Sequence, residues 1–221
     1  MMNPPRSNHH SVTEEQIRIL MNLNPEVPLH ALFQLDMLTA LRPPEITGLP
    51  WKNVFFHTRS LKVSQQLSVR NHGKKYRIIP FTKNRKPHRL YFGPEAYRIL
   101  NVVKEVQDIA RLRAGSRWND SYGLVFTDET GRPFSPKEAD EELRRLMADT
   151  DNPDVRLYDL RHTAATAVHR ETGNITLAQT LMNHSDPDVT RNYYLDRDTR
   201  SKRLSAKAIN DYTKGALKHD S

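Results

Sequence analysis

Apolar residues recur along this chain with two different periods, and the change of period divides it into parts. After eleven polar, proline-rich residues, read as a disordered leader, Thr13 is followed by Gln16, the reciprocal pattern of a capping box. Ile17, Leu20, Met21 and Leu23 then form a helical stripe. A second helix is expected from Val27 or Pro28 to about Leu41, through Leu29, Leu32, Phe33, Leu35, Met37 and Leu38. Pro43 and Pro44 stop it, because proline lacks a donor and restricts the residue before it, and a short helix restarts over Glu45 to Leu49. Between Trp51 and Phe92 the period shortens. Val54, Phe55 and Phe56 lead to a Thr-Arg-Ser turn, Leu61, Val63 and Leu67 alternate with polar residues, and Tyr76, Ile78 and Ile79 follow the turn signal Asn71, His72, Gly73. That pattern predicts a small antiparallel sheet of roughly three strands.

The helical period returns from Pro94 to about Ala114. A short apolar run at Leu124, Val125 and Phe126 precedes a helix that Ser135 and Pro136 open and that ends near Met147, before Asn152 and Pro153. Further helices are expected near 158–171, 175–183 and 187–195, with Gly173 placed to end the first of them. A last amphipathic segment runs from Ser201 to Leu217, with Leu204, Ala208, Ile209 and Tyr212 on one face. The predicted class is α+β: a mainly α-helical domain with a small three-stranded antiparallel sheet.

Composition narrows the function classes. No apolar run approaches a membrane span, and the first ten residues carry no apolar stretch of a secretion signal. There is no cysteine, which removes disulfides and thiol chemistry and fits a cytoplasmic location. The net charge of +8 is unevenly spread. Residues 46–94 hold no Asp or Glu and eleven Lys or Arg, which leaves 23 basic and 26 acidic side chains in the other 172 residues. One contiguous basic block, coincident with the sheet, is the footprint of a polyanion site; a solvated basic surface without a partner is the plainer alternative.

The sequence holds no phosphate-binding glycine loop, no dinucleotide fingerprint, no H-E-x-x-H and no G-x-S-x-G elbow, and its ten histidines include no pair at metal-ligand spacing with carboxylate support. It does hold three separated motifs. Residues 39–51 read T-A-L-R-P-P-E-I-T-G-L-P-W; residues 80–90 read P-F-T-K-N-R-K-P-H-R-L; Y-D-L-R-H-T-A-A-T-A begins at Tyr158 and L-M-N-H-S-D-P-D-V-T-R-N-Y-Y at Leu181. In this order, over roughly residues 13–195, they resemble the signature boxes of the tyrosine recombinases, the phage integrase family.

The resemblance implies a chemistry that accounts for these residue types. Transesterification at a DNA phosphodiester builds negative charge on the non-bridging oxygens, which guanidinium and imidazole groups stabilise. Arg42 and Arg161 correspond to the two-arginine clamp, His184 to a further donor, and Tyr193, nine residues after His184, to the nucleophile. Ionising a phenol of pKa about 10 at neutral pH costs about 4 kcal/mol, and nearby cations lower that cost. Lys83 corresponds to the general acid for the departing 5′ oxygen, on the family's β-hairpin, with Lys86 or a phosphate-positioning role as alternatives. Glu45 is expected to orient Arg42 or cap the short helix, and His162 to bond backbone rather than substrate. Tyr194 competes with Tyr193 as nucleophile. Lys74, Lys75, Arg77, Arg85, Lys86 and Arg89 are the candidate DNA contacts. The implied product is a 3′-phosphotyrosine, made without metal, ATP or any other cofactor.

Two residues depart from the family pattern. Tyr158 stands where a histidine is usual; a phenol still donates a hydrogen bond but is a poor base or cation at neutral pH. Asn183 stands where a glycine is usual. The catalytic domain is expected over residues 12–200, with 201–221 as a helical tail that is either exchanged between protomers or folded back in cis. No counterpart of the family's N-terminal core-binding domain is expected. The implied partner is double-stranded DNA, bound by a protein monomeric in solution and tetrameric on DNA, with accessory DNA-bending proteins, in a bacterial, phage or mobile-element setting. A nicking-closing enzyme, a DNA-binding module without catalysis, and a basic interaction domain remain as alternatives. Deleting 201–221 is expected to spare strand cleavage and abolish synapsis.

Overall fold

The computed structural model describes residues 12–70, 75–81, 86–182 and 195–218. The capping box forms as read: Thr13 Oγ1 accepts from Gln16 N and Gln16 Oε1 accepts from Thr13 N, opening α1 (Glu14–Asn22). The Gln16 amide also donates to Thr150 Oγ1 and to the Asn152 carbonyl, so this cap ties the first helix to a loop 134 residues later in the chain. Helix α2 (Pro28–Thr39) starts on proline and is buried on every side from Ala31 to Thr39. It is therefore the central rod of the domain rather than a surface helix. It stops at Ala40, whose φ of 50° is left-handed, and the chain turns at once into α3 (Pro43–Thr47).

The sheet region differs from the expectation in its pairing. Strands β1 (Val54–Phe55), β2 (Ser60–Val63) and β5 (His88–Tyr91) form the expected antiparallel three-stranded sheet in the order β1-β2-β5. A separate hairpin, β3 (Gln65–Arg70) with β4 (Lys75–Pro80), is inserted in the connection between β2 and β5. Leu61, Val63 and Leu67 do not lie on one strand, because the chain changes partner at Ser64. Gly48 is the reason the hairpin can dock: a Cβ there would lie 2.5 Å from the Leu67 amide nitrogen, and the Gln65 side chain donates to the Gly48 carbonyl. The predicted turn at 71–73 lies outside the described residues.

Helix α4 (Pro94–Ala114) and the run Leu124–Phe126 follow as expected; the Val125 amide donates to Leu49 O and the Trp51 amide to Gly123 O. Helix α5 (Pro136–Leu146) opens on a Ser135–Glu138 capping box. Helix α6 (Leu157–Thr172) ends at Gly173 with φ 63°, the left-handed position glycine suits, and α7 (Ile175–Met182) follows. The helix expected near 187–195 falls outside the described residues except at its last position.

Helix α8 (Leu195–Lys218) is one continuous element that starts earlier than the amphipathic pattern suggested. It packs in cis on α1, α2, α6, α7 and β5. Its core face is Ser205, Ala206, Ala208, Ile209, Asn210 and Thr213, whereas Leu204, expected on that face, is 44% exposed. Asn210 Oδ1 accepts from the Glu95 amide at the start of α4, and Gly93 lies so close that a Cβ would meet Asn210 at 2.8 Å. Removing residues 201–221 thus takes away buried Ile209 and the face that covers α6. The expected result is loss of the folded domain, read as a lost cooperative thermal transition, rather than a selective loss of assembly. A truncated chain that melts like the parent contradicts this. No helix among the described residues is long and apolar enough to cross a membrane.

Candidate active site

Three elements separated in sequence bring their charged side chains together. Arg42 is the N-cap of α3, held there by the two prolines that occupy the first helical positions. Glu45, 1% exposed, accepts from the Arg42 amide with Oε2 (2.9 Å) and from Arg42 Nη1 with Oε1 (3.2 Å). Capping the helix and orienting the arginine are therefore one interaction. A buried carboxylate is stable there because it neutralises a cation and receives two hydrogen bonds. The Arg42 side chain stays 29% exposed, so part of it faces solvent.

Arg161 approaches from α6. It is 3% exposed, and its two terminal nitrogens donate to the carbonyls of Ala40 and Met182. The left-handed turn at Ala40 aims that carbonyl at α6. One guanidinium thus joins the end of α2, two residues before Arg42, to the end of α7, two residues before His184. Burial, above all, and then the neighbouring Arg42 cation hold the Arg161 pKa below its ordinary value; Glu45, Asp36 and Tyr158 act the other way. The two arginines of the sequence motifs are consequently neighbours. Tyr158, one helical turn before Arg161, is 45% exposed, and its ring lies 6.4 Å from that of His162.

His88 and Asp36 enter this cluster without having been singled out in the sequence. His88 opens β5 on the inner face of the sheet, stacked on Phe81 with ring centroids 6.5 Å apart. Burial first pulls its pKa down to about 4; Glu45 opposes that shift, and Lys202 on α8 and Arg42 reinforce it. His88 is a neutral ring beside a charged cluster. Its place inside the quoted P-F-T-K-N-R-K-P-H-R-L run was the available signal. Asp36 is completely buried in α2, and burial pushes its carboxyl well above the usual range against the pull of Arg161. Its signal was that it is the one acid in α2.

The DNA-contact candidates divide. Lys75 and Arg77 on β4 and Lys86 before β5 are exposed. Arg89 is held back on the outer face of the three-stranded sheet: its guanidinium lies 4.5 Å from the Phe55 ring centre and donates to Ser60 Oγ (2.7 Å). It does not share a sheet with Lys75 and Arg77. Lys74, Lys83, Arg85, His184, Tyr193 and Tyr194 lie outside the described residues. In the sequence Lys83 falls between β4 and β5.

A model of the phage integrase family matches residues 10–201. A tyrosine recombinase XerC-like protein of Caldanaerobacter subterraneus subsp. tengcongensis is 26% identical over 212 residues, covering 90% of this chain and 53% of that protein. The tyrosine recombinase XerC of Bifidobacterium longum subsp. infantis is 23% identical over 165 residues, 74% of this chain and 42% of the relative. The chain spans about half the length of these curated relatives. Among solved structures, the Tn1549 transposon integrase in complex with transposon right end DNA superposes with a TM-score of 0.67 at 18% identity, over 99% of this chain and 68% of that one. The XerA recombinase superposes with a TM-score of 0.54 at 19% identity, over 96% and 66%. At those identities the structural likeness speaks for the fold.

Proposed function

Because the chain belongs to the phage integrase family, we propose that it cuts and rejoins double-stranded DNA by transesterification through a phosphotyrosine bond. The observation that supports this best is the meeting of Arg42 and Arg161 over a buried Glu45, from positions 119 residues apart. Two fixed cations in a site partly closed to water suit the charge that develops on phosphoryl oxygens, because they need no reorganisation when it appears. In the proposed reaction Tyr193 Oη gives up its proton to water as it attacks the scissile phosphorus, the phosphorus–5′-oxygen bond breaks, and Lys83 gives its proton to the departing oxygen. The 3′-phosphotyrosine retains the bond energy. Attack by a 5′-hydroxyl then reverses the step and frees the tyrosine.

Tyr158, exposed beside Arg161, is suited to donate a hydrogen bond to the same phosphate. The exposed Lys75, Arg77 and Lys86 supply cations for the flanking backbone, so binding should weaken steeply with salt. Packing of α8 in cis favours a monomer in solution, with assembly, as a tetramer, on DNA. Cytoplasmic residence on a bacterial, phage or mobile-element replicon follows from this reading.

The test is a nicked duplex in which cleavage releases a short strand and so traps the enzyme. A pool of random flanks replaces an unknown site. The expected result is a DNA-linked protein band on a denaturing gel, formed with a chelator present and suppressed by salt. Salt-sensitive binding without any band favours a DNA-binding module over a strand transferase.

A further inference from the structure

The strand register sorts the three-stranded sheet into two faces. Val54, Leu61, Val63 and Leu90 point to the core, with His88 on their side; Phe55, Ser60, Lys62, Arg89 and Tyr91 point the other way. On that outer face Lys62 of the central strand β2 lies directly opposite Arg89 of β5. Like charges in that arrangement repel and cost stability. Lysines that guard a sheet against edge-to-edge pairing sit on edge strands, so that role does not account for a lysine on β2.

The cations of this face are held without being neutralised. Arg89 lies across Ser60 and donates to its Oγ (2.7 Å), with its guanidinium 4.5 Å from the centre of the Phe55 ring. From α8, which packs beside β5, Arg203 sets its guanidinium 4.8 Å from the centre of the Tyr91 ring. Lys62 and Arg203 are exposed. None of the three cations is paired with a carboxylate among the described residues. Elsewhere on the surface the pattern is the opposite: Arg98 bonds Glu95, Arg132 bonds Asp128 and Glu138, and Arg145 bonds Glu142. An aromatic ring fixes a guanidinium in place and leaves its charge whole. All three strands fall in the stretch 46–94, which has no Asp or Glu. Fixed, unneutralised cations on an acid-free face are complementary to a polyanion.

We propose that this outer face binds the phosphodiester backbone of duplex DNA through Lys62, Arg89 and Arg203, as a contact separate from the arginine clamp. The inner residues Leu61, Val63 and Leu90 join the core that also holds Ile46 of α3, the helix capped by Arg42. The outer face is therefore turned away from the clamp, and it belongs to a different sheet from Lys75 and Arg77. The DNA it holds is the flanking part of the cleaved duplex or a second duplex. This assignment rests on the strand-transfer reading for its ligand and adds a second contact to it.

Anisotropy titrations over a salt series test it, with the full chain carrying Tyr193→Phe so that no bond forms. The probes are random-sequence duplexes about one and about four helical turns long. The face variant is Lys62→Gln with Arg203→Gln; Arg89 stays, because it also packs the sheet. Arg111→Gln with Arg113→Gln, exposed at the end of α4, removes the same charge elsewhere. Each lost phosphate contact lowers the slope of log K against log salt by about 0.9. The face variant should therefore lose about 1.8 from the slope, and its deficit against the parent should shrink about tenfold between about 50 and 200 mM salt. The control pair should keep the parental slope. Loss on the long duplex only assigns the face to flanking DNA. A drop from two short duplexes per chain to one, at saturation, assigns it to a second duplex. Lys62→Gln alone should melt no lower than the parent at low salt, because it relieves the repulsion with Arg89. Equal slopes for parent and face variant overturn the proposal and turn the face towards an acidic protein segment. Equal losses in the two variant pairs overturn it as an effect of net charge, and a lower melting midpoint for Lys62→Gln overturns it by making Lys62 a packing residue. The same loss on both probes, with one duplex bound, merges the face with the clamp and overturns their separation. A wild-type chain that forms no phosphotyrosine, yet shows the face-specific loss, removes the strand-transfer reading and keeps the DNA-binding face.

Discussion

Tyr193→Phe should abolish the DNA-linked band on the nicked duplex, while Tyr194→Phe should retain it. Removing one phenolic oxygen changes no net charge, so salt-dependent DNA binding should be the same for parent and both variants. A phenylalanine has no oxygen with which to attack phosphorus, so the loss is complete rather than graded. Tyr193 follows His184 by nine residues, and the segment that carries both leaves α7 at Met182, whose carbonyl is bound by Arg161. The chain is thus held at the clamp where that segment begins. A band that survives Tyr193→Phe and disappears with Tyr194→Phe moves the nucleophile by one residue and leaves the enzyme class intact. A band that survives both removes these two tyrosines as the linkage.

How far the sequence carried this reading depended on whether each signal was local. The Thr13–Gln16 box and Gly173 act within one or two turns, and each appears where its pattern put it; Pro43 and Pro44, read as the stop of α2 before a helix from Glu45 to Leu49, instead open α3, because α2 already ends at Thr39 and proline suits the first helical positions. Arg42 and Glu45 are three residues apart, so their pairing could be read directly. Sheet pairing is not local. The alternation of Leu61, Val63 and Leu67 continues through Ser64, and only docking of β3 on Gly48 reveals that the strand has changed partner. For α8 the core face is built largely from Ser205, Ala206, Ala208, Asn210 and Thr213, small or polar residues that an apolar stripe does not select, so Leu204 was placed on the wrong side.

Asp36 and His88 illustrate the same limit at the site. The one acid of α2 reads as a surface residue until α6 is seen to cover it with Arg161. A histidine in a basic run reads as one more cation until Phe81 and burial make it neutral. Both acquire meaning from partners distant in the chain, which is where tertiary structure adds to periodicity.

Arg161→Ala should then produce the second large effect, and it should be double. Cleavage of the nicked duplex in single turnover should fall by about 10³ or more, because one preorganised donor to a developing oxyanion is typically worth 10²–10³ and this guanidinium brings a full charge. Stability should fall as well. The Ala40 and Met182 carbonyls, both served by Arg161, are left without their donor, at about 1–3 kcal/mol for each that water cannot reach. Arg161→Lys separates the two effects. A lysine keeps the charge and can serve one carbonyl, but it lacks the planar fork that reaches two carbonyls and a phosphate together. Its melting midpoint should lie between alanine and parent, while its cleavage rate stays near that of alanine. Arg42→Ala should lose a similar factor in cleavage and should also destabilise, because it leaves the buried Glu45 carboxylate without its cation. Urea melts and single-turnover rates on the four proteins decide the matter. If Arg161→Lys cleaves at close to the parental rate, charge alone suffices, and the two backbone contacts serve only the fold.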